Sequence, residues 1–65
     1  MNNLNRYLNN PKLRSRLSVQ MTFMELKGTL YIESLADKWR IEAEAATLED
    51  VLQALDDMLA EMDAS

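Results

Sequence analysis

The stretch KWRIEAEAATLEDVLQALDDMLAEM, residues 38–62, changes its apolar period at Thr47. Before Thr47 the apolar residues alternate with charged ones, and they are Trp39, Ile41, Ala43 and Ala45. Strict alternation is typical of a strand with one buried face, because successive side chains of a strand point to opposite faces. We therefore predict a strand from Lys38 to Ala45.

After Thr47 the apolar period becomes helical. The apolar residues recur three or four positions apart, at Leu48, Val51, Leu52, Leu55, Leu59 and Met62. Thr47 is predicted to cap this helix, and Asp50 completes an approximate capping box. We expect an amphipathic helix from about Leu48 to Met62 that buries its apolar stripe against a neighbouring element.

Two segments before residue 38 also alternate. One face of the first segment carries Leu17, Val19, Met21 and Phe23. The second segment covers about residues 29–35, and the Lys-Gly pair at 27–28 between them is predicted to form a two-residue hairpin turn. A second two-residue turn at 36–37 would then lead into the third strand.

These turns specify a register for the sheet. The register pairs Met24 with Tyr31, Phe23 with Ile32, and Ile32 with Ile41. Apolar side chains then meet mainly on one face and charged side chains on the other, which supports a meander. Met24 and Tyr31 are predicted to lie on the face opposite the C-terminal helix.

The first residues of the chain predict a short helix. Its apolar residues Leu4, Tyr7 and Leu8 have helical spacing, and Pro11 follows its end. Two interpretations stay open for this helix. It covers the sheet face that carries Tyr31, or it leaves that face exposed for a partner.

The predicted fold class is α+β in the order α-β-β-β-α. It comprises a short N-terminal helix, a three-stranded antiparallel meander and an acidic C-terminal helix packed on one sheet face. We expect residues 1–65 to form a single domain. An all-α hairpin is the competing interpretation, because eleven Leu residues outnumber four Val and Ile residues and Leu favours helix.

Composition excludes several classes of function. The 65 residues contain no Cys and no His, and only one Gly. Disulfides, thiolate nucleophiles, Ser-His triads and metal sites built on Cys or His are therefore excluded, and a glycine-rich phosphate loop needs more Gly. We predict a non-enzymatic protein without cofactor or metal, located in the cytoplasm because no signal-peptide pattern and no apolar membrane span is found.

Charge is divided unevenly along the chain. Residues 1–20 carry four bases and no acid, whereas residues 21–65 carry eleven acids and three bases. A dipolar molecule is drawn toward a partner of complementary charge, so we predict a partner protein with a basic surface. The predicted partner-binding residues are five carboxylates and two apolar anchors: Glu49, Asp50, Asp56, Asp57, Glu61, Tyr31 and Met24.

The carboxylates follow the predicted helix in two rows. One row contains Glu49, Asp56 and Asp63, and the other contains Asp50, Asp57 and Glu61. Two rows of carboxylates on a rigid helix imitate a line of phosphates. In size, charge and architecture the chain resembles small acidic phage-encoded inhibitors, including some anti-CRISPR proteins. The resemblance implies a nucleic-acid mimic that occupies the nucleic-acid groove of its target and inhibits it.

Other interpretations remain open. Residues 46–50, ATLED, resemble the strand-to-helix step of antitoxins. The basic first third could also dock on the acidic last third of another copy, which implies a self-assembling structural or adaptor module. Direct nucleic-acid binding is less favoured: its candidate phosphate contacts are Lys12, Arg14 and Arg16. The element order resembles the double-stranded RNA-binding domain, but Glu49 and Asp50 stand where that family has bases.

Overall fold

The computed structural model describes residues 2–64 and contains two helices and three strands. The elements are α1 (Asn2–Leu8), β1 (Arg14–Met21), β2 (Leu26–Glu33), β3 (Lys38–Ala45) and α2 (Leu48–Ala64). The strands form one antiparallel sheet in the order β1-β2-β3. The predicted α+β class and α-β-β-β-α order are confirmed, and the all-α interpretation is wrong.

The first hairpin turns earlier than predicted. β1 and β2 are joined by residues 22–25, so the predicted turn at 27–28 is wrong. Tyr31 pairs with Arg16 and not with Met24. Met24 therefore lies in the turn instead of in a strand.

The second hairpin is also shifted. Ile32 pairs with Trp39, whereas the prediction paired it with Ile41. The connection covers residues 34–37 and is two residues longer than expected. The shift moves each pair by two positions and keeps every side chain on its predicted face, because the side-chain period of a strand is two.

Gly28 explains the error in the first hairpin. It lies inside β2 beneath α2, and its φ is not positive. A Cβ at this position would overlap Cγ1 of Val51 and lie 3.3 Å from Cδ1 of Leu55. The glycine thus permits a close approach between helix and sheet and does not serve a turn.

Both helices pack on the same face of the sheet. α2 packs on β2 and β3, and α1 packs on α2 and β1. The buried apolar side chains of this layer form two neighbouring clusters: Leu4, Leu30, Ile32 and Leu59 in one, and Ala43, Val51 and Leu55 in the other. No element of residues 2–64 covers the opposite face, so the interpretation in which α1 covers Tyr31 is wrong.

The start of α2 agrees with its prediction. The Thr47 hydroxyl accepts a hydrogen bond from the Asp50 amide at 3.2 Å, and the Thr47 carbonyl accepts one from the Val51 amide at 3.1 Å. Thr47 is therefore the N-cap residue. Neither α1 nor α2, the helices of the described residues, is long and apolar enough to cross a membrane.

Candidate binding surfaces

The exposed side of α2 carries four of the predicted binding carboxylates. They are Glu49, Asp50, Asp57 and Glu61. None of the four forms an ion pair with a base within residues 2–64. Asp57 accepts a hydrogen bond from the Gln53 side chain at 3.0 Å. The charge of this helix side is therefore not neutralised by the described part of the chain.

Asp56, the fifth predicted carboxylate, lies inside the fold. Its residue is only 7% exposed. The carboxylate accepts a hydrogen bond from the Leu4 amide at 2.8 Å and one from the Asn3 side chain at 3.5 Å. The amides in the first turn of a helix have no partner within that helix, and Asp56 satisfies one of them from outside. Asp56 therefore does not belong to the candidate binding surface.

Asp63 holds the same short helix at a second point. It forms an ion pair with Arg6 and accepts a hydrogen bond from the Tyr7 hydroxyl at 2.8 Å. This hydrogen bond, helped by burial, raises the pKa of the Tyr7 hydroxyl. In the predicted row that begins with Glu49, both Asp56 and Asp63 are thus engaged within the fold, and the row is not a line of free charge.

Four exposed apolar residues lie in or directly before the β1–β2 turn. Met21, Phe23 and Met24 are 83%, 99% and 82% exposed, and Val19 is 41% exposed. We call these four residues the apolar end patch. The sequence had predicted Met24 as an anchor, but it had placed the other three in the core. Exposed apolar patches on small proteins often mark interaction sites, because their contact with water is unfavourable.

The placement of the helices leaves this patch open. Val19 and Met21 lie on the helix side of the sheet, but α2 packs on β2 and β3. α1 ends at Leu8 and meets only the start of β1, where the Ser15 hydroxyl donates to the Tyr7 carbonyl at 3.3 Å. The second half of β1 therefore has no covering element among the described residues. The alternation of apolar and polar residues predicts a strand but not whether a helix covers it, so the sequence could not predict that this half of β1 is exposed.

The apolar end patch lies at the end of the molecule where α2 begins. The last row of the sheet is formed by Met21, Leu26 and Ala45. The turn at residues 22–25 extends beyond this row, and α2 begins at Leu48 shortly after it. Glu49 and Asp50 occupy the first turn of α2. The fold thus brings Met24 to the same end as two of the predicted carboxylates.

Tyr31, the second predicted anchor, lies on the other face of the sheet. It is 38% exposed and pairs with Arg16 on one side and Arg40 on the other. The Arg16 guanidinium carbon lies 5.1 Å from the centre of the Tyr31 ring, within cation–π range. A shallow concavity of about 740 Å³ opens beside this ring. Tyr31 therefore belongs to a basic surface that is separate from the apolar end patch.

The acidic side chains do not form a metal site in the described part of the chain. No group of three or more potential ligands converges within residues 2–64. The fold and its surfaces define a small α+β domain with two separate exposed surfaces, one apolar, at the end of the molecule where α2 begins, and one basic. No family model matches the chain, and comparison with curated proteins and with solved structures found no match.

Proposed function

We propose that the protein is a non-enzymatic interaction module that binds and inhibits a partner protein with a basic surface, in the cytoplasm. The observation that carries the proposal is the apolar end patch, with Met21, Phe23 and Met24 almost fully exposed. The nearby carboxylates Glu49 and Asp50 supply charge at the same end of the molecule. The contact is therefore apolar at its centre and acidic at its side.

The apolar side chains supply most of the affinity in this proposal. Burial of one large apolar side chain stabilises a complex by about 1.5–3 kcal/mol. A few well-buried anchors usually dominate an interface, whereas charged residues at the rim increase the association rate and the specificity. Phe23, the most exposed of the three, is the proposed principal anchor.

The proposed partner class is a protein that handles nucleic acid. Such proteins concentrate basic side chains where they contact phosphates. The exposed row Asp50, Asp57 and Glu61 offers that surface a line of negative charge. A partner that holds this row cannot hold nucleic acid at the same place, and this competition is the proposed inhibition. The resemblance to phage-encoded inhibitors points in the same direction.

Affinity capture from a nuclease-treated lysate tests the proposal with three baits: wild type, Phe23→Ser and Leu35→Ser. Leu35 is the matched control because it is also fully exposed, in the other hairpin turn. We expect wild type and Leu35→Ser to retain the same basic protein. Phe23→Ser should retain at least about tenfold less, the loss of one hot spot. Equal retention by all three baits, or retention by none, would contradict the proposal.

Self-assembly into a structural or adaptor module is a second candidate. It is favoured by the position of β1 at the edge of the sheet, with Val19 and Met21 exposed. An open edge with apolar side chains can pair with the same edge of another copy. Light scattering at two salt concentrations tests this candidate. A dimer that Val19→Lys converts to monomer would support it, and a wild-type monomer throughout would rule it out.

A further inference from the structure

We infer that the sheet face turned away from the helices binds single-stranded nucleic acid. This site is separate from the apolar end patch and goes beyond the proposed protein partner. At the end of this face nearest the β2–β3 turn, four bases surround one aromatic ring. These five residues, which we call the basic face, are Arg14, Arg16, Lys38, Arg40 and Tyr31.

The strand register assembles the bases of this face. In one row of the sheet Arg14 and Lys38 lie on either side of Glu33, and in the next row Arg16 and Arg40 lie on either side of Tyr31. Neighbouring strands are about 4.8 Å apart, so each pair of bases brackets a central strip about 10 Å wide. All four basic side chains are exposed. They can therefore reach a chain of phosphates that runs along the strip.

Three carboxylates, Glu33, Glu42 and Glu44, and a fifth base, Lys27, also face this side of the sheet. Lys27 and Glu44 lie opposite each other in the register, beyond Tyr31 toward the β1–β2 turn. Glu33 lies between Arg14 and Lys38 in the register. Glu42 contacts Arg40 at 3.3 Å, but it is shared with Lys27, which lies 3.1 Å away on its other side. The five bases on this side of the sheet thus outnumber its three carboxylates, and the face stays positive in a chain whose net charge is −4.

The acidic helix does not cancel this charge. The free carboxylates of α2 lie on the far side of the two-layer fold. A helix with its side chains is about 10–12 Å across, which already equals the Debye length of about 10 Å at 0.1 M salt. At moderate salt the basic face therefore attracts anions although the chain as a whole is acidic.

Tyr31 favours nucleic acid over other anions. Its ring is partly exposed and lies against the guanidinium of Arg16. Unpaired bases stack on aromatic rings and on Arg planes. The Tyr31–Arg16 pair is thus a place for one base, while the surrounding cations hold the flanking phosphates. An acidic protein segment would contact only the basic side chains and would have no base to stack on Tyr31.

The shape of the surface favours a single strand over a duplex. The major groove of DNA admits a helix or a two-stranded ribbon, and a three-stranded sheet is wider than either. The bases of a duplex are also stacked on each other and are not free to stack on Tyr31. A single strand lying across the sheet meets neither obstacle.

Fluorescence anisotropy with a labelled single-stranded DNA of about 12 nucleotides, within the usual site size of such surfaces, tests the inference at low salt. Arg16→Glu should weaken binding at least about tenfold, and Tyr31→Ser about five- to a hundredfold, the effect of one lost stacking contact. Tyr31→Phe keeps the ring and should bind like wild type. Arg6→Glu makes the same charge change in the helix layer, where Arg6 pairs with Asp63, and should alter affinity less than about threefold.

Four results would contradict single-strand binding by the basic face. Absence of binding by wild type at low salt would do so directly. An affinity for single-stranded DNA that Tyr31→Ser leaves unchanged would contradict it. So would displacement of the labelled DNA by polyglutamate as effectively as by unlabelled single-stranded DNA. Either result would show a face that attracts anions in general and is suited to an acidic protein. Preference for duplex of the same sequence would also contradict it. The Tyr31→Phe variant and thermal melts of all variants separate lost contacts from lost folding.

Discussion

Gly28 is the residue whose substitution tests the helix–sheet contact most directly. Gly28→Ala should destabilise the protein by about 1–3 kcal/mol, because its methyl group overlaps Val51 in a packed core. Urea unfolding measures the change. In a Val51→Ala background the same substitution should cost clearly less, since the overlapping methyl is gone. Equal costs in both backgrounds would show that the close approach is not the reason for the glycine.

Asp56 tests the connection between the two helices. Asp56→Ala removes the acceptor for the Leu4 amide and should destabilise the protein by about 1–3 kcal/mol. Asp56→Asn keeps an acceptor oxygen and should cost less. Asp57→Ala, at the exposed neighbouring position, is the matched control and should change stability by no more than about 0.5 kcal/mol. Similar urea midpoints for the Asp56→Ala and Asp57→Ala variants would refute the capping role.

Gly28 and Asp56 were both misplaced by the sequence-based predictions, because their surroundings depend on distant parts of the chain. The chain has one Gly, and a lone Gly between two alternating segments is a reasonable turn prediction. Its real environment, a helix lying directly above the strand, depends on residues more than twenty positions away. Asp56 likewise was predicted to be exposed with the other acids of α2. It is buried because α1 packs beside it, a contact between opposite ends of the chain.

At the scale of elements, the Tyr7–Asp63 contact makes the docking of α1 on α2 dependent on pH. The hydrogen bond to Asp63 raises the pKa of Tyr7 above its ordinary value of 10.0. Its contribution to stability is therefore fully present below pH 10 and is lost as the pH rises through the higher pKa of the folded state. Titration of tyrosinate absorbance in a Tyr31→Phe background, where Tyr7 is the only tyrosine, measures this pKa.

Asp63→Ala supplies the comparison for that titration. Without the carboxylate, the Tyr7 pKa should move back toward its ordinary value. An unchanged midpoint would mean that Asp63 does not hold the hydroxyl. A fall in α1 order at neutral pH in this variant, seen as faster amide exchange at residues 4–8, would show that the same contact also anchors the helix.

The elements themselves were largely predictable from the sequence. Alternation identified β3 with its correct bounds, and helical spacing with Thr47 identified the start of α2. The turns were not predictable, because residues 22–25 and 34–37 lack the Gly or Asn that marks favoured hairpin turns. Each is closed by a backbone hydrogen bond and a hydroxyl: the Glu25 carbonyl accepts from the Thr22 amide at 2.8 Å and from the Thr22 hydroxyl at 3.0 Å.

At the scale of the whole molecule, the two-layer fold separates opposite charges that share one short chain. The bases of β1 and β3 meet on the outer sheet face, while the free acids of α2 lie beyond the helix layer. The sequence showed the excess of acid in its last third but could not show the basic face. That face needs Arg16 and Arg40 beside Tyr31, and the predicted register placed Met24 there. The apolar end patch was not predicted either, because the apolar face of its strand was expected to be covered by a helix.

This separation predicts how salt affects the proposed partner complex. Asp57→Lys should weaken binding of the captured partner and flatten the dependence of affinity on salt, because a long-range attraction is replaced by repulsion. Glu33→Lys makes the same charge change on the opposite layer and should leave the salt dependence close to that of wild type. Isothermal titration at two salt concentrations provides the comparison. Equal slopes for wild type and Asp57→Lys would remove the helix from the interface.

The most direct test of the central claim is photo-crosslinking from the apolar end patch in cells. Phe23 is replaced by photoreactive benzoylphenylalanine in one sample and Leu35 in another, and crosslinked products are identified by mass spectrometry. The two sites are equally exposed, so random encounters should label them alike. We predict a discrete product with one basic protein from position 23 that is absent from position 35. Identical products from both positions, or none from position 23, would contradict the claim that this end of the molecule is its docking surface.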